Sequence, residues 1–126
     1  MNKRERPLSP HLQVYKLEYT MLLSGGHRIS GLALSLAFVA VVACLGALAS
    51  GPECYAWVAG LLDNVVGKVI FAAAAIGFCY HFTTGLRHLR WDAGYGFERA
   101  EARRSALVAV IVMTVLSALC VWAIFC

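Results

Sequence analysis

Residues 29–52 read Ile-Ser-Gly-Leu-Ala-Leu-Ser-Leu-Ala-Phe-Val-Ala-Val-Val-Ala-Cys-Leu-Gly-Ala-Leu-Ala-Ser-Gly-Pro, and none of them is Asp, Glu, Lys or Arg. At about 1.5 Å per residue this stretch makes a helix ~36 Å long, more than the ~30 Å hydrocarbon core of a bilayer. Its large apolar side chains, among them Leu32, Leu36, Phe38, Val39, Val42 and Leu45, run round every side of such a helix and leave no polar stripe. That pattern suits lipid on the outside rather than water.

Residues 69–86 and 105–126 are likewise free of charge, and the former spans a bilayer if it borrows flanking residues such as Val65 and Val66. The expectation is therefore an all-α membrane protein, one anchor domain over residues 1–126. It has a polar N-terminal segment (1–23) and three transmembrane helices at about 27–50, 63–88 and 104–125. With 60% hydrophobic and 14% charged residues, the chain is too apolar for a disordered tail or an ordinary soluble domain.

The charges orient the bundle. Lys3, Arg4, Arg6, Lys16 and Arg28 precede the first span, and Arg87, Arg90, Arg99, Arg103 and Arg104 lie between the ends of the second and third. Only Lys68 sits on the other connection, beside Glu53 and Asp63. The positive-inside rule then puts the N-terminus in the cytoplasm and the C-terminus in the periplasm. The polar, charged residues 1–20 do not read as a signal or transit peptide, so the expectation is a retained first span in a bacterial inner membrane. Trp57, Trp91 and Trp122 suit interfacial anchors. The net charge of +4 suits contact with anionic lipid and gives no support to nucleic-acid binding. The five cysteines form no C-x-x-C motif; Cys54 and Cys126, both on the outer side, are close enough in topology to pair in an oxidising compartment.

The chemistry concentrates in residues 77–94, Gly-Phe-Cys-Tyr-His-Phe-Thr-Thr-Gly-Leu-Arg-His-Leu-Arg-Trp-Asp-Ala-Gly. On a helix His81, Gly85, His88 and Asp92 fall at about 0°, 40°, −20° and 20°, one stripe along one face. His81 lies ~9 Å inside the end of the charge-free stretch, where an imidazole needs a hydrogen-bond partner or a metal. Gly77 and Gly85 flank it and leave bare helix surface on which a flat macrocycle can lie. Arg87 and His88, ~10 Å further on, are placed for carboxylates. Haem with iron at His81 satisfies this set. The alternative is that Gly77 and Gly85 pack a neighbouring helix while His81 bonds to a serine or carbonyl on it, or serves a proton relay. A six-coordinate haem needs a second axial ligand. His11, His27 and His88 are all expected nearer the cytoplasmic surface than His81, so the second ligand is expected from another chain.

At the entrance of the first span, residues 24–31 read Ser-Gly-Gly-His-Arg-Ile-Ser-Gly. If the helix already runs here, Ser24 and Arg28 are one turn apart and offer a hydroxyl and a guanidinium to one small acceptor, such as a quinone carbonyl. Fixed donors there would stabilise the negative charge that grows on quinone oxygens during reduction. Otherwise Arg28 is a snorkelling anchor and Ser24 a helix cap. Asp92 either joins a proton entry path, pairs with Arg28 or Arg90, or is a solvated surface charge.

Arg6-Pro-Leu-Ser-Pro-His-Leu12, the Ser24-x-x-His27-Arg28-x-Ser30-Gly31 run and His81-x-x-x-Gly85-Leu-Arg87-His88-Leu-x-Trp91-Asp92-x-Gly94 together resemble the cytochrome b subunits of succinate dehydrogenase, in the same order and over the whole chain. The resemblance implies half of a heterodimeric haem-binding bundle that anchors a flavoprotein and an iron-sulfur subunit and passes electrons to ubiquinone near the cytoplasmic face. By that likeness His81 is an axial ligand of haem b shared with a second small hydrophobic anchor subunit. His27, Arg28 and His88 approach the propionates, Ser24 and Arg28 line the quinone pocket, and Asp92 stands near it. The Gly25-Gly26 pair departs from the family, in which the first position is usually a bulkier apolar residue. Succinate chemistry itself has no residues here. The competing functions are the anchor of a quinol:fumarate reductase, a cofactor-free structural membrane protein, and a small transporter, for which the first and third spans carry too few polar residues.

Overall fold

The computed structural model describes His11 and residues 16–126, so the basic residues Lys3, Arg4 and Arg6 and all but His11 of the 6–12 motif lie outside the described residues. Among the described residues the elements are four helices: α1 (Tyr19–Ser50), α2 (Pro52–Asp63), α3 (Val65–Asp92) and α4 (Arg99–Phe125). α1, α3 and α4 are long and apolar enough to cross a membrane, as expected.

Three boundaries differ from the expectation. α1 starts at Tyr19, so the helix takes in Tyr19–Leu23 of the N-terminal segment placed at 1–23. Nothing in Tyr-Thr-Met-Leu-Leu breaks a helix, and the Glu18 carbonyl already accepts from the amides of Met21 and Leu22. α3 runs to Asp92 and α4 starts at Arg99 because charged side chains extend these helices into the interface, where the charge-free criterion no longer follows them. α2 was not expected at all. Gly51 turns the chain at φ +119°, a conformation open to glycine, and Pro52 starts α2 where its missing N–H costs nothing. Asn64 then ends α2 and caps α3: its side-chain amide donates to the Leu61 carbonyl (2.7 Å) and its side-chain oxygen accepts from the Gly67 amide (3.0 Å). A Cβ at Gly67 would collide with the backbone of Leu61 and Leu62, so only glycine allows this reversal. Lys68 pairs with Asp63 (3.1 Å) across the same turn.

α3 is the central helix and presents different stripes to its two neighbours. Toward α4 it turns Cys79, Thr83 and Arg87, all buried, with Cys79 Sγ 3.9 Å from Cys120 Sγ and Arg87 reaching Ala102 and Ser105. Toward α1 it turns Tyr80, His81, Thr84 and Gly85, which meet Leu23, Gly26, His27, Ser30 and Gly31. Small residues on one helix let polar groups of the other bond across the seam. The outward faces stay apolar and uncovered: α1 has no buried residue, and Leu32, Leu36 and Phe38 are about two-thirds exposed. Cys54 and Cys126 are exposed free thiols.

Gly26 shows how tight the α1–α3 seam is. A Cβ there would strike the Tyr80 hydroxyl, which donates to the Leu23 carbonyl (2.9 Å), whereas a Cβ at Gly25 would meet nothing within 4 Å. Gly26→Val is expected to destabilise the detergent-solubilised protein by about 1–3 kcal/mol through overpacking, and Gly25→Val to leave stability unchanged. Thermal unfolding of the pair checks this, and equal effects would refute it.

Candidate functional site

Three histidines form a ladder at the α1–α3 seam. His27 of α1 stacks on His81 with ring centroids 3.9 Å apart and planes 10° apart, and its other side meets the His88 ring at 4.8 Å. His27 thus stands between His81 and His88, deeper than expected, because α1 has already run two turns when it reaches this position. Gly85 makes room for it: a Cβ there would lie 3.3 Å from His27 Cε1. The bare surface at Gly85 is therefore filled by the His27 ring, while that at Gly77 stays open.

His81 is pinned through one nitrogen. Its Nδ1 lies 3.0 Å from the His27 carbonyl and 3.2 Å from Ser30 Oγ. Ser30 gives its own proton to the His27 carbonyl (2.9 Å), so both partners act as acceptors and Nδ1 carries the hydrogen. The lone pair is then on Nε2. That atom has no hydrogen-bond partner among the described residues, and no partnerless polar side-chain atom among them is buried, so Nε2 is not sealed inside the bundle. A ligating histidine has this form, with the far nitrogen held by a carbonyl and the near one free. The serine and carbonyl contacts of the alternative reading are present, and they leave the metal-binding atom available. Gly31 supports the ring from α1, since a Cβ there would come within 2.9 Å of His81 Cε1.

His27 does not face His81 across a shared iron. Stacked rings oppose their π faces, whereas two axial ligands aim nitrogen lone pairs at the metal from opposite sides. The His27 Nδ1 also bonds Thr84 Oγ1 (2.9 Å), whose proton goes to the Tyr80 carbonyl (2.7 Å). His27 therefore donates from Nδ1, and it can donate to a carboxylate from Nε2 only as the doubly protonated imidazolium. Among the described residues no three His, Cys, Asp or Glu side chains gather into a metal site.

Arg87 and Trp91 are placed differently from the expectation. Arg87 is buried against α4, donating from Nε to Ser105 Oγ (3.1 Å) and from Nη2 to the Ala102 carbonyl (3.2 Å), so it is turned away from the histidine ladder. Its position follows from α3 carrying Arg87 on the stripe of Cys79 and Thr83. The Arg87 guanidinium lies 4.0 Å from the Trp91 ring centre, and Trp91 Nε1 donates to the Gly96 carbonyl (2.9 Å). Trp91 is thus held in place by its neighbours, whereas Trp57 and Trp122 are exposed.

Ser24 and Arg28 do share a helical face, and they line one open cleft of about 560 Å³ with Thr20, Met21, Trp91 and Phe97. This volume lies within the range of small-molecule sites. Gly25 also lines the cleft, where the absent side chain widens it without disturbing the helix. Arg28 is exposed and has no ion pair among the described residues. Asp92 is exposed at the end of α3, beside but outside the cleft lining, and pairs with neither Arg28 nor Arg90; Arg90 reaches Glu101 instead (3.7 Å).

Residues 2–120 match the family described as succinate dehydrogenase/fumarate reductase transmembrane subunits. The chain is 37% identical to the succinate dehydrogenase cytochrome b556 subunit of Paracoccus denitrificans over 99% of its own length and 98% of the relative's. It is 35% identical to the cytochrome b556 subunit of Rickettsia felis, covering 94% and 91% of the two chains. With the cytochrome b560 subunit of Reclinomonas americana it shares 40% identity over 74% and 68%. Three membrane-length helices, the histidine ladder and these likenesses along nearly the whole chain agree: the chain belongs to the family of succinate dehydrogenase/fumarate reductase transmembrane subunits.

Proposed function

We propose that this chain is the haem-carrying membrane anchor of a bacterial succinate:quinone oxidoreductase, lying in the inner membrane with its N-terminus in the cytoplasm. The observation that carries the haem assignment is His81, whose Nδ1 is engaged by α1 while Nε2 has no hydrogen-bond partner among the described residues. A single available histidine nitrogen on a helix with uncovered apolar neighbours calls for a second chain to complete the coordination and cover the group. That chain is the second small anchor subunit, and the haem lies at the seam. When bound, haem b supplies a one-electron redox centre within the membrane. His88 and His27, toward the basic end, hold its propionates.

Ser24 and Arg28 present their donors to a ubiquinone head group in the cleft beside Trp91, with electrons arriving from the iron-sulfur subunit and protons from the cytoplasm. Charge growing on the quinone oxygens is stabilised by these fixed donors. Asp92, exposed at the cleft's edge, stands where protons enter. The basic ends of α1, α3 and α4 come together on one side of the bundle, which supports a cytoplasmic assignment for that side. The relatives named above are subunits of succinate dehydrogenases, which favours succinate oxidation over fumarate reduction as the working direction.

Purification from native membranes in mild detergent, with a reduced-minus-oxidised spectrum and identification of the co-purifying chains, tests the proposal. A b-type spectrum with a flavoprotein, an iron-sulfur protein and a second small anchor is expected; the chain purifying alone without haem would overturn it. Ser30→Ala probes the hydrogen bond behind His81. Because the His27 carbonyl remains as an acceptor, haem retention after detergent washing is expected to fall about 10-fold, the low end for losing a ligand's hydrogen-bond partner, and Ser30→Thr to restore it. Full retention in Ser30→Ala would show that the carbonyl alone fixes the ring.

A further inference from the structure

We propose that the cleft between the N-terminal parts of α1 and α4 binds an anionic phospholipid. This open cleft of about 1160 Å³ carries Arg99, Arg103 and Arg104 on α4, with Leu22 of α1 and Leu107 and Val110 of α4 on its apolar lining. The order along α4 matters. The arginines precede the charge-free stretch of the helix, whereas Leu107 and Val110 lie ~5 to 16 Å further into the membrane. The cleft therefore has a basic mouth at the level of headgroups and an apolar floor at the level of acyl chains.

Among the described residues these arginines have no ion-pair partner. The ion pairs among the described residues are Lys68 with Asp63 and Arg90 with Glu101, and neither uses Arg99, Arg103 or Arg104. All three are exposed and stand in the first turns of α4, where the positive end of the helix dipole opposes cations. A phosphate among them relieves that repulsion and accepts from planar guanidinium forks. The electron-transfer site does not use this face, because the histidine ladder and the Ser24–Arg28 cleft are lined by other residues. A soluble phosphate satisfies the mouth but not the floor, where Leu107 is 61% exposed. A lipid with a negatively charged headgroup satisfies both.

The test uses the purified assembly, with whatever subunits it retains, stripped of lipid and offered phosphatidylglycerol or phosphatidylcholine with the same acyl chains. Native mass spectrometry then counts the lipids kept. Preferential retention of phosphatidylglycerol is expected, undiminished by millimolar inorganic phosphate. The double variant Arg103→Gln/Arg104→Gln is expected to lose this preference by about 30-fold, as two basic side chains leave an anionic headgroup. Double replacement by Lys is expected to keep most of it, and Lys68→Gln at the opposite end all of it. Equal retention of the two lipids by the unaltered assembly would overturn the proposal, as would a double variant that keeps its preference. Loss of a neighbouring subunit from that variant, with lipid retention intact, would assign the cleft to a protein contact instead. Should the double variant not assemble, Leu107→Trp decides: quenching of the new fluorescence by brominated phosphatidylglycerol beyond that by brominated phosphatidylcholine supports the site, and equal quenching refutes it.

Discussion

Replacing His81 with leucine is expected to remove the b-type absorbance from the purified assembly while leaving succinate-dependent reduction of soluble dye acceptors intact. The loss should exceed the ~10- to 100-fold that follows from removing only a hydrogen-bond partner of a ligand, because the ligand itself is gone. The substitution should not unfold the bundle. Leucine is apolar and of similar reach, and the groups that held the ring keep partners, since Ser30 already donates to the His27 carbonyl. The α1–α3 seam also retains the Tyr80–Leu23 and His27–Thr84 hydrogen bonds. Haem per assembled complex, measured beside dye reduction, separates ligand loss from collapse. Unchanged haem would remove His81 from the coordination sphere, and loss of both activities would make its role structural.

Truncating Arg28 to alanine is expected to act on a different quantity. Its guanidinium lines the cleft with Ser24 and has no ion pair among the described residues, so its removal leaves no buried charge behind. Loss of a donor aimed at developing negative charge costs about 10²- to 10³-fold in turnover. Succinate-dependent quinone reduction should fall by that order, with haem content and dye reduction unchanged. Ser24→Ala, which removes a neutral hydroxyl, should cost less. If Arg28→Ala instead depletes haem and spares quinone reduction, Arg28 serves the propionates and the cleft belongs to another ligand.

Much of this architecture is legible in the residues themselves. Long runs without charge leave the backbone of α1, α3 and α4 only a helical way to satisfy its hydrogen bonds inside a bilayer. The spacing of His81, Gly85 and His88, and of Ser24 and Arg28, sets each group on a common helical face wherever the helix runs. Such patterns are local, and local geometry carries them into the structure unchanged.

Where the reading failed, the cause was a partner that only packing supplies. Gly85 looks bare from its own helix, yet the His27 ring fills the space from α1. Arg87 follows His81 closely in sequence but occupies the stripe facing Ala102 and Ser105, so its charge is spent inside the α3–α4 seam. α2 was missed because twelve residues with Glu53 and Asp63 are too short and too charged for a membrane span; its signals were Gly51-Pro52 at the start and Asn64-x-x-Gly67 at the end. The sequence by itself determined the membrane class, the number of spans and the helical faces, because these depend on periodicity and on the cost of burying charge in lipid. Only the tertiary structure decided which nitrogen of His81 is free, since that follows from a carbonyl and a hydroxyl lying 54 and 51 residues away, brought to the ring by the crossing of α1 over α3.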